Sequence, residues 1–258
     1  MLASGFSWFR LFPAVDDNSI LGFLPNVDPA TTAVEAHVYV HVWLTVALLL
    51  GFAVLARMQL DRVRTRGGLE QYHTDDKPTA LSLAEVIADG IRSIMGDMLS
   101  AKDVSYYFPF VAGLFLYILV SNLQGLFPGF LPPTDVIDTN LGMAIVVFVV
   151  FNAVGFYRDA VGYVRHLAGP VLFLAPLLFF IEVTSLFIRP VSLTIRLTAN
   201  MFGDHQVFTI MSGLIPIILP AALLVLATLV SFLQAFVFSL LTVIYINLSL
   251  PHDEHEAH

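Results

Sequence analysis

The chain has 258 residues, 57% of them hydrophobic and only 12% charged, with a net charge of −8. A soluble domain carries about twice that charged fraction, so the class that fits is a polytopic membrane protein. The absence of cysteine excludes a disulfide framework, a zinc–thiolate site and a cysteine nucleophile. Twelve sparse basic residues argue against nucleic-acid binding, and no G-x-x-x-x-G-K-[ST] run is present to hold ATP in a P-loop.

In chain order, residues 1–36 mix Trp8, Phe9 and Phe12 with Asp16, Asp17, Pro25, Asp28 and Pro29. No basic stretch followed by an apolar core and a cleavage site is found there, so a removable signal peptide is not expected. We read these residues as an external segment. Residues 38–56 contain no charge and are long enough to span ~30 Å of hydrocarbon. His37 and His41 open this span at i, i+4, a metal spacing without a second pair nearby, and metal binding is not expected. Arg57, Arg62, Arg64 and Arg66 follow, which marks the cytoplasmic side and puts the N-terminus outside.

A polar connection, residues 67–80, leads to residues 82–99. There an S-x-x-E capping box, Ser82 with Glu85, predicts a helix start. Leu83, Val86, Ile87, Ile91, Ile94, Met95 and Met98 share one face, and Glu85, Asp89 and Arg92 the other. Such a helix suits the membrane surface. Residues 106–157 read as a helical hairpin, with Asn122 and Gln124 near the exit of its first arm. Arg158 and Arg165 return the chain to the inside. Residues 170–250 hold two further long apolar segments with a turn at about 213–220, and residues 206–250 carry no Asp, Glu, Lys, Arg or His. An unbroken helix over residues 171–212 would be ~60 Å long. A break at Pro190 or Gly203, or a steep tilt, is therefore predicted. Residues 251–258, PHDEHEAH, are expected to be a solvated cytoplasmic tail. The predicted fold is all-α and a single membrane domain, with about five membrane helices and one amphipathic surface helix.

The densest signal is residues 181–205, IEVTSLFIRPVSLTIRLTANMFGDH. Glu182, Ser185, Arg189, Ser192, Arg196 and Asn200 follow at steps of three and four, which places them on one face of a helix. A charged side chain at the bilayer centre costs at least ~3 kcal/mol, so Arg196 is expected to be functional. The stripe must face a partner, a water-filled cavity or an ion path.

The run RPVSLTIRLTANMFGDH, followed by FLQAFVFSLLTVIY, resembles subunit a of the rotary F-type ATP synthase, bacterial type. The resemblance is dense over residues 180–250 and continuous, though weaker, back to the first span. It implies the stator beside a rotating ring of c subunits, with b-type stalk subunits and the rest of the synthase as partners, in the cell inner membrane. It also implies that the last two helices are long, strongly tilted and paired as a hairpin. No cofactor or metal is implied, and ATP would be made on other subunits. By the same resemblance Arg196 is the essential arginine, Asn200 the family asparagine and Gln234 the glutamine facing the arginine. Glu182, Ser185 and Ser192 match the cytoplasmic-side path, His205 the outer path, and Tyr245 also matches. Relatives often carry His or Glu at the position of Ala227, and Asp204 beside His205 is the candidate replacement acid. A self-contained secondary transporter or channel is the competing class. It would also explain a buried charge, but no internal repeat is seen. A Ser192–His205 hydrolase pair is excluded on an unbroken helix, where the two lie ~20 Å apart.

Overall fold

A computed structural model of the protein describes residues 29–66, 79–127, 130, 132–168, 175–214 and 218–250. Residues 67–78 of the predicted connection at 67–80, most of the external segment, the centre of the last turn and the acidic tail lie outside the described residues. Among the described residues six α-helices run in order: α1 (Pro29–Arg66), α2 (Ala80–Gly96), α3 (Ala101–Gln124), α4 (Ile137–Ala168), α5 (Ala175–Leu214) and α6 (Ile218–Ser249), with a short 3-10 turn at Pro133–Asp135 before α4. No strand occurs among the described residues. All but α2 are long and apolar enough to cross a membrane. The chain divides into two compact units, Met1–Pro133 and Thr134–His258.

In the first unit α1 outruns its predicted span at both ends. It continues through the arginine cluster because Met58, Gln59, Leu60 and the arginines are good helix formers, and no breaker intervenes before Gly67 and Gly68. The N-cap of α2 is Thr79, three residues before the expected Ser82. The Thr79 hydroxyl accepts the Ser82 amide N–H, and the Ser82 hydroxyl in turn accepts the Thr79 amide N–H. Ser82 thus fills the third helical position of the box, which a hydroxyl can serve as well as a carboxylate. Ile91 and Met95 of α2 are buried, whereas Leu83 and Val86 are 55% and 71% exposed. Only the C-terminal half of its apolar face is used inside the unit. Arg92 lies over the Phe108 ring at 4.6 Å, which fixes α2 against the start of α3. Ser100 caps α3, and Tyr107, Val111, Phe115 and Ile118 form its buried face at helical spacing. The helix stops at Gly125, where an added Cβ would come within 2.8 Å of the Pro132 ring. Only glycine allows the loop that close.

The second unit packs α4, α5 and α6 on one another. Phe151 from α4, Leu186, Leu193, Leu197 and Met201 from α5, and Phe238, Val243 and Ile246 from α6 are buried. The helix α5 is unbroken over 40 residues, so the predicted break at Pro190 or Gly203 does not occur. Pro190 is buried, and the Thr194 hydroxyl donates to its carbonyl oxygen at 2.9 Å. Neighbouring helices and threonine side chains of this kind make proline tolerable in membrane helices. At Gly203 a Cβ would meet nothing within 4 Å, so no close approach breaks the helix there. Both α5, about 60 Å long, and α6, about 48 Å, exceed the ~30 Å hydrocarbon thickness. They must tilt or protrude.

The helix α4 bends back on itself. The Tyr163 hydroxyl donates to Asn152 Oδ1 at 3.0 Å. Eleven residues of straight helix rise ~16 Å, more than the two side chains can bridge. The Tyr163 ring lies over Gly155, where a Cβ would come within 2.6 Å of it, and stands 5.0 Å from the Phe156 ring. The bend falls just after the apolar span ends at Arg158.

Candidate functional site

The polar stripe of α5 lies beside a buried face made by Leu186, Pro190, Leu193, Leu197 and Met201. Its members divide into two inward-turned groups and an open middle.

Towards the start of α5, Glu182 and Arg189 are two helical turns apart. Arg189 Nη2 reaches Glu182 Oε1 at 3.4 Å, with side chains 18% and 34% exposed respectively. The guanidinium lies 5.1 Å from the centre of the Tyr245 ring of α6 and 6.0 Å from that of Phe151 of α4. Arg189 therefore does not extend freely to the membrane surface, as a snorkelling side chain would. A carboxylate and two aromatic faces hold it inside the three-helix junction. Tyr163 joins this group. Burial pushes its phenol above the ordinary range, against the opposing pull of the Arg189 charge and a hydrogen bond with Ser249; the Glu182 charge adds to the upward shift. The Ser249 hydroxyl also donates to the Tyr245 carbonyl oxygen at 2.8 Å.

About three turns beyond Arg189 on α5, Asn200 Nδ2 donates to Gln234 Oε1 at 2.6 Å. Gln234 is buried in α6. This bond ties the two long helices together one turn from Arg196. On the opposite flank Asn140, fully buried at the start of α4, donates through Nδ2 to the Thr134 carbonyl oxygen and to Thr198 Oγ1. The α5 backbone around Arg196 is thus held from both sides.

Arg196 itself is exposed, as is Ser192 one turn before it. Among the described residues no carboxylate lies within ion-pair distance of Arg196. Its surroundings on the open face are apolar: Ile188, Val191, Ile195 and Phe202 are 46–58% exposed. A permanent cation that cannot deprotonate is set on an apolar, outward-facing surface. Such a group attracts an anion and favours the ionised form of any carboxylic acid brought beside it.

Of the other residues expected in the site, Ser185 and Asp204 are half-buried on α5. His205 belongs to the same helix, but its side chain lies outside the described residues. Ala227 is half-buried on α6. The structure brings together Glu182 with Tyr245 through Arg189, and Asn200 with Gln234. Sequence reasoning left out Arg189, Tyr163 and Asn140 as site-building residues. The signal for Arg189 was present, because it shares the stripe with Glu182 at a spacing of seven. Nothing local in the sequence shows the bend that returns Tyr163.

Compared with known proteins, residues 39–247 match the family described as ATP synthase A chain. The chain is 44% identical over 218 residues to ATP synthase subunit a 3 of Pelobacter propionicus, covering 84% of this chain and 87% of that one. It is 38% identical to ATP synthase subunit a 2 of Syntrophotalea carbinolica, over 80% and 82% of the two chains. Against ATP synthase subunit a of Geotalea uraniireducens the identity is 41%, over 81% and 86%.

Proposed function

The chain belongs to the ATP synthase A chain family, and from that premise we propose that it is the stator against which a ring of c subunits turns, with Arg196 facing the ring. It is a membrane-sector subunit of ATP synthase and a component of that complex rather than its catalytic part. The observation that carries the finer reading is the exposed guanidinium of Arg196 on an apolar face, with no counter-charge among the described residues. Its missing counter-charge is supplied from outside the chain, by a carboxylate on each passing ring subunit.

The mechanism follows from what arginine cannot do. It cannot release its proton, so it does not relay one. It holds the ring carboxylate ionised as it passes and blocks direct leakage between two half-paths. One half-path removes the proton from the ring carboxylate and the other returns one. Each proton crossing 100 mV releases about 2.3 kcal/mol, which turns the ring. On the cytoplasmic side Glu182, with Ser185, Ser192 and Tyr245, lines the inner path. Asp204 and His205 form the titrating group of the outer path, in place of an acid or base at Ala227. Asn200 and Gln234 hold α5 and α6 in register beside Arg196. The whole chain acts as one membrane domain, with its N-terminus outside and its tail in the cytoplasm. It also contacts b-type stalk subunits.

The test is co-purification in mild detergent followed by mass spectrometry. A ring of small hairpin subunits with one membrane carboxylate each is expected with the chain. A chain that purifies alone and conducts protons alone in liposomes would overturn the stator reading in favour of a self-contained transporter.

A further inference from the structure

The bent end of α4 has no part in the mechanism above, yet it brings a half-buried phenol to the junction of the second unit. Tyr163 donates to Asn152 Oδ1 at 3.0 Å, its ring fills the space over Gly155, and it shares a hydrogen bond with Ser249 of α6. Asn152 is itself fixed, since its Nδ2 donates to the Phe148 carbonyl oxygen at 2.7 Å. The Ser249 hydroxyl has one hydrogen for two acceptors, the Tyr245 carbonyl oxygen and the phenol oxygen. One phenol therefore joins two stretches of α4 to the end of α6, at a place where the charges of Arg189 and Glu182 are both felt.

The ion pair beside it is not built for strength. Arg189 Nη2 reaches Glu182 Oε1 through a single contact of 3.4 Å, whereas strong pairs of arginine with a carboxylate are two-pronged at about 2.7–2.9 Å. A partly exposed pair adds little to stability. Its two ends are also unequal. The guanidinium is the more buried and stands against the rings of Tyr245 and Phe151. The carboxylate is the more exposed, and among the described residues its second oxygen, Oε2, makes no hydrogen bond. An anchored cation thus holds one carboxylate oxygen and leaves the other open. A group that takes and gives protons at a fixed place needs that arrangement.

We propose that Arg189 is a positioning residue of the inner proton path, holding the Glu182 carboxylate at the three-helix junction, and that the Tyr163 hydroxyl holds this junction together from the bent end of α4. This deepens, and rests on, the reading of Glu182 as a group of the inner path. Neither residue carries the proton. Arginine does not release one, and burial raises the phenol above the ordinary tyrosine range, so it keeps its own. The charges that face Glu182 are few. On α5 the neighbour is Arg189, and Arg196 lies ~21 Å further along the axis. Tyr245 is the only ionisable side chain of α6. On α4, Tyr163 is felt by Glu182, and Tyr157 and Arg158 are exposed where the apolar span ends. Asp159, Arg165 and His166 have side chains outside the described residues.

The experiment uses the assembled synthase in liposomes with its cytoplasmic face outward. ATP-driven pumping takes protons from the cytoplasmic side, so on this reading they enter by the inner path. Pumping is measured against pH on one side at a time for Arg189→Gln, Arg189→Lys, Tyr163→Phe, Glu182→Gln and Arg196→Ala, each normalised to the amount assembled. The expected result is that Arg189→Gln and Tyr163→Phe need several-fold more protons on the cytoplasmic side for half-maximal pumping, with the dependence on the outer side unchanged. Arg189→Lys keeps a cation beside Glu182 and should recover part of the loss. A merely structural role would lower assembly and leave both midpoints in place. Wild-type midpoints in Arg189→Gln overturn the proposal, and wild-type midpoints in Tyr163→Phe alone withdraw Tyr163 from it. If Arg189→Gln fails to assemble, Arg189→Lys and Tyr163→Phe decide, the latter removing only an oxygen atom and keeping the ring over Gly155. If Glu182→Gln pumps as wild type while Arg196→Ala is dead, Glu182 is not in the path and the proposal falls while the stator reading stands. If Arg196→Ala pumps normally, the stator reading itself fails.

Discussion

Asn200 and Gln234 share a 2.6 Å hydrogen bond between the two long helices, and the exposed Arg196 sits one turn away. In membrane proteins such bonds average about 0.6 kcal/mol and reach about 1.7. A double-mutant cycle with Asn200→Ala and Gln234→Ala, read by unfolding of the purified chain in detergent, should give a coupling in that range. A coupling of zero would mean that the bond does not organise the site. The Glu182–Arg189 pair is looser, at 3.4 Å and partly exposed. Its coupling should not exceed about 1 kcal/mol. Arg189→Ala should nevertheless cost more than Glu182→Gln, because it also removes the guanidinium from Tyr245 and Phe151. Equal costs in the same unfolding measurement would contradict this. Tyr163 titrates above the ordinary tyrosine range, because burial disfavours its phenolate. Its favourable contribution is present below about pH 10 and lost only as pH rises through the raised value. Tyr163→Phe should therefore leave the shape of the stability profile unchanged between pH 6 and 9. The stripe itself was legible in the sequence, because a helix repeats every 3.6 residues and Glu182 to Asn200 obey that period. Which members turn inward was not legible. That depends on Tyr245 and Gln234 of another helix, and spacing on α5 carries no information about them.

At the scale of elements, helix starts and stops follow local chemistry, and the departures have local causes. The cap of α2 moved from Ser82 to Thr79 because either hydroxyl can cap, and the structure uses Ser82 to complete the box. Replacing Thr79 by Ala should cost about 1 kcal/mol. Pro190 suggested a break by the rules of soluble helices, but buried packing and Thr194 keep α5 continuous. The bend in α4 was invisible because no proline marks it. It depends on Gly155, over which the Tyr163 ring lies. Gly155→Ala should push that ring away, break the Tyr163–Asn152 bond and destabilise the chain by about 1–3 kcal/mol. Cysteines at 152 and 163 would then cross-link less readily than in the parent background. Undiminished cross-linking would show that the bend does not need glycine.

For the whole molecule, composition alone specified a polytopic membrane protein, and the five apolar helices agree with it. The charged residues of the second unit carry more specific information. Within the long apolar stretch of α5, Glu182 and Arg189 neutralise one another, whereas Arg196 has no described counter-charge. An arginine in so apolar a stretch is costly, and on the proposed reading its place on an open apolar face answers to a moving external carboxylate. The most direct measurement is ATP-driven proton pumping by membranes carrying the assembled synthase with Arg196→Ala or Arg196→Lys. Both should assemble and neither should pump, since a compact, strongly hydrated ammonium does not reproduce the planar guanidinium. Normal pumping with Arg196→Lys, or any coupled pumping with Arg196→Ala, would contradict the assignment of Arg196 as the charge that the ring passes.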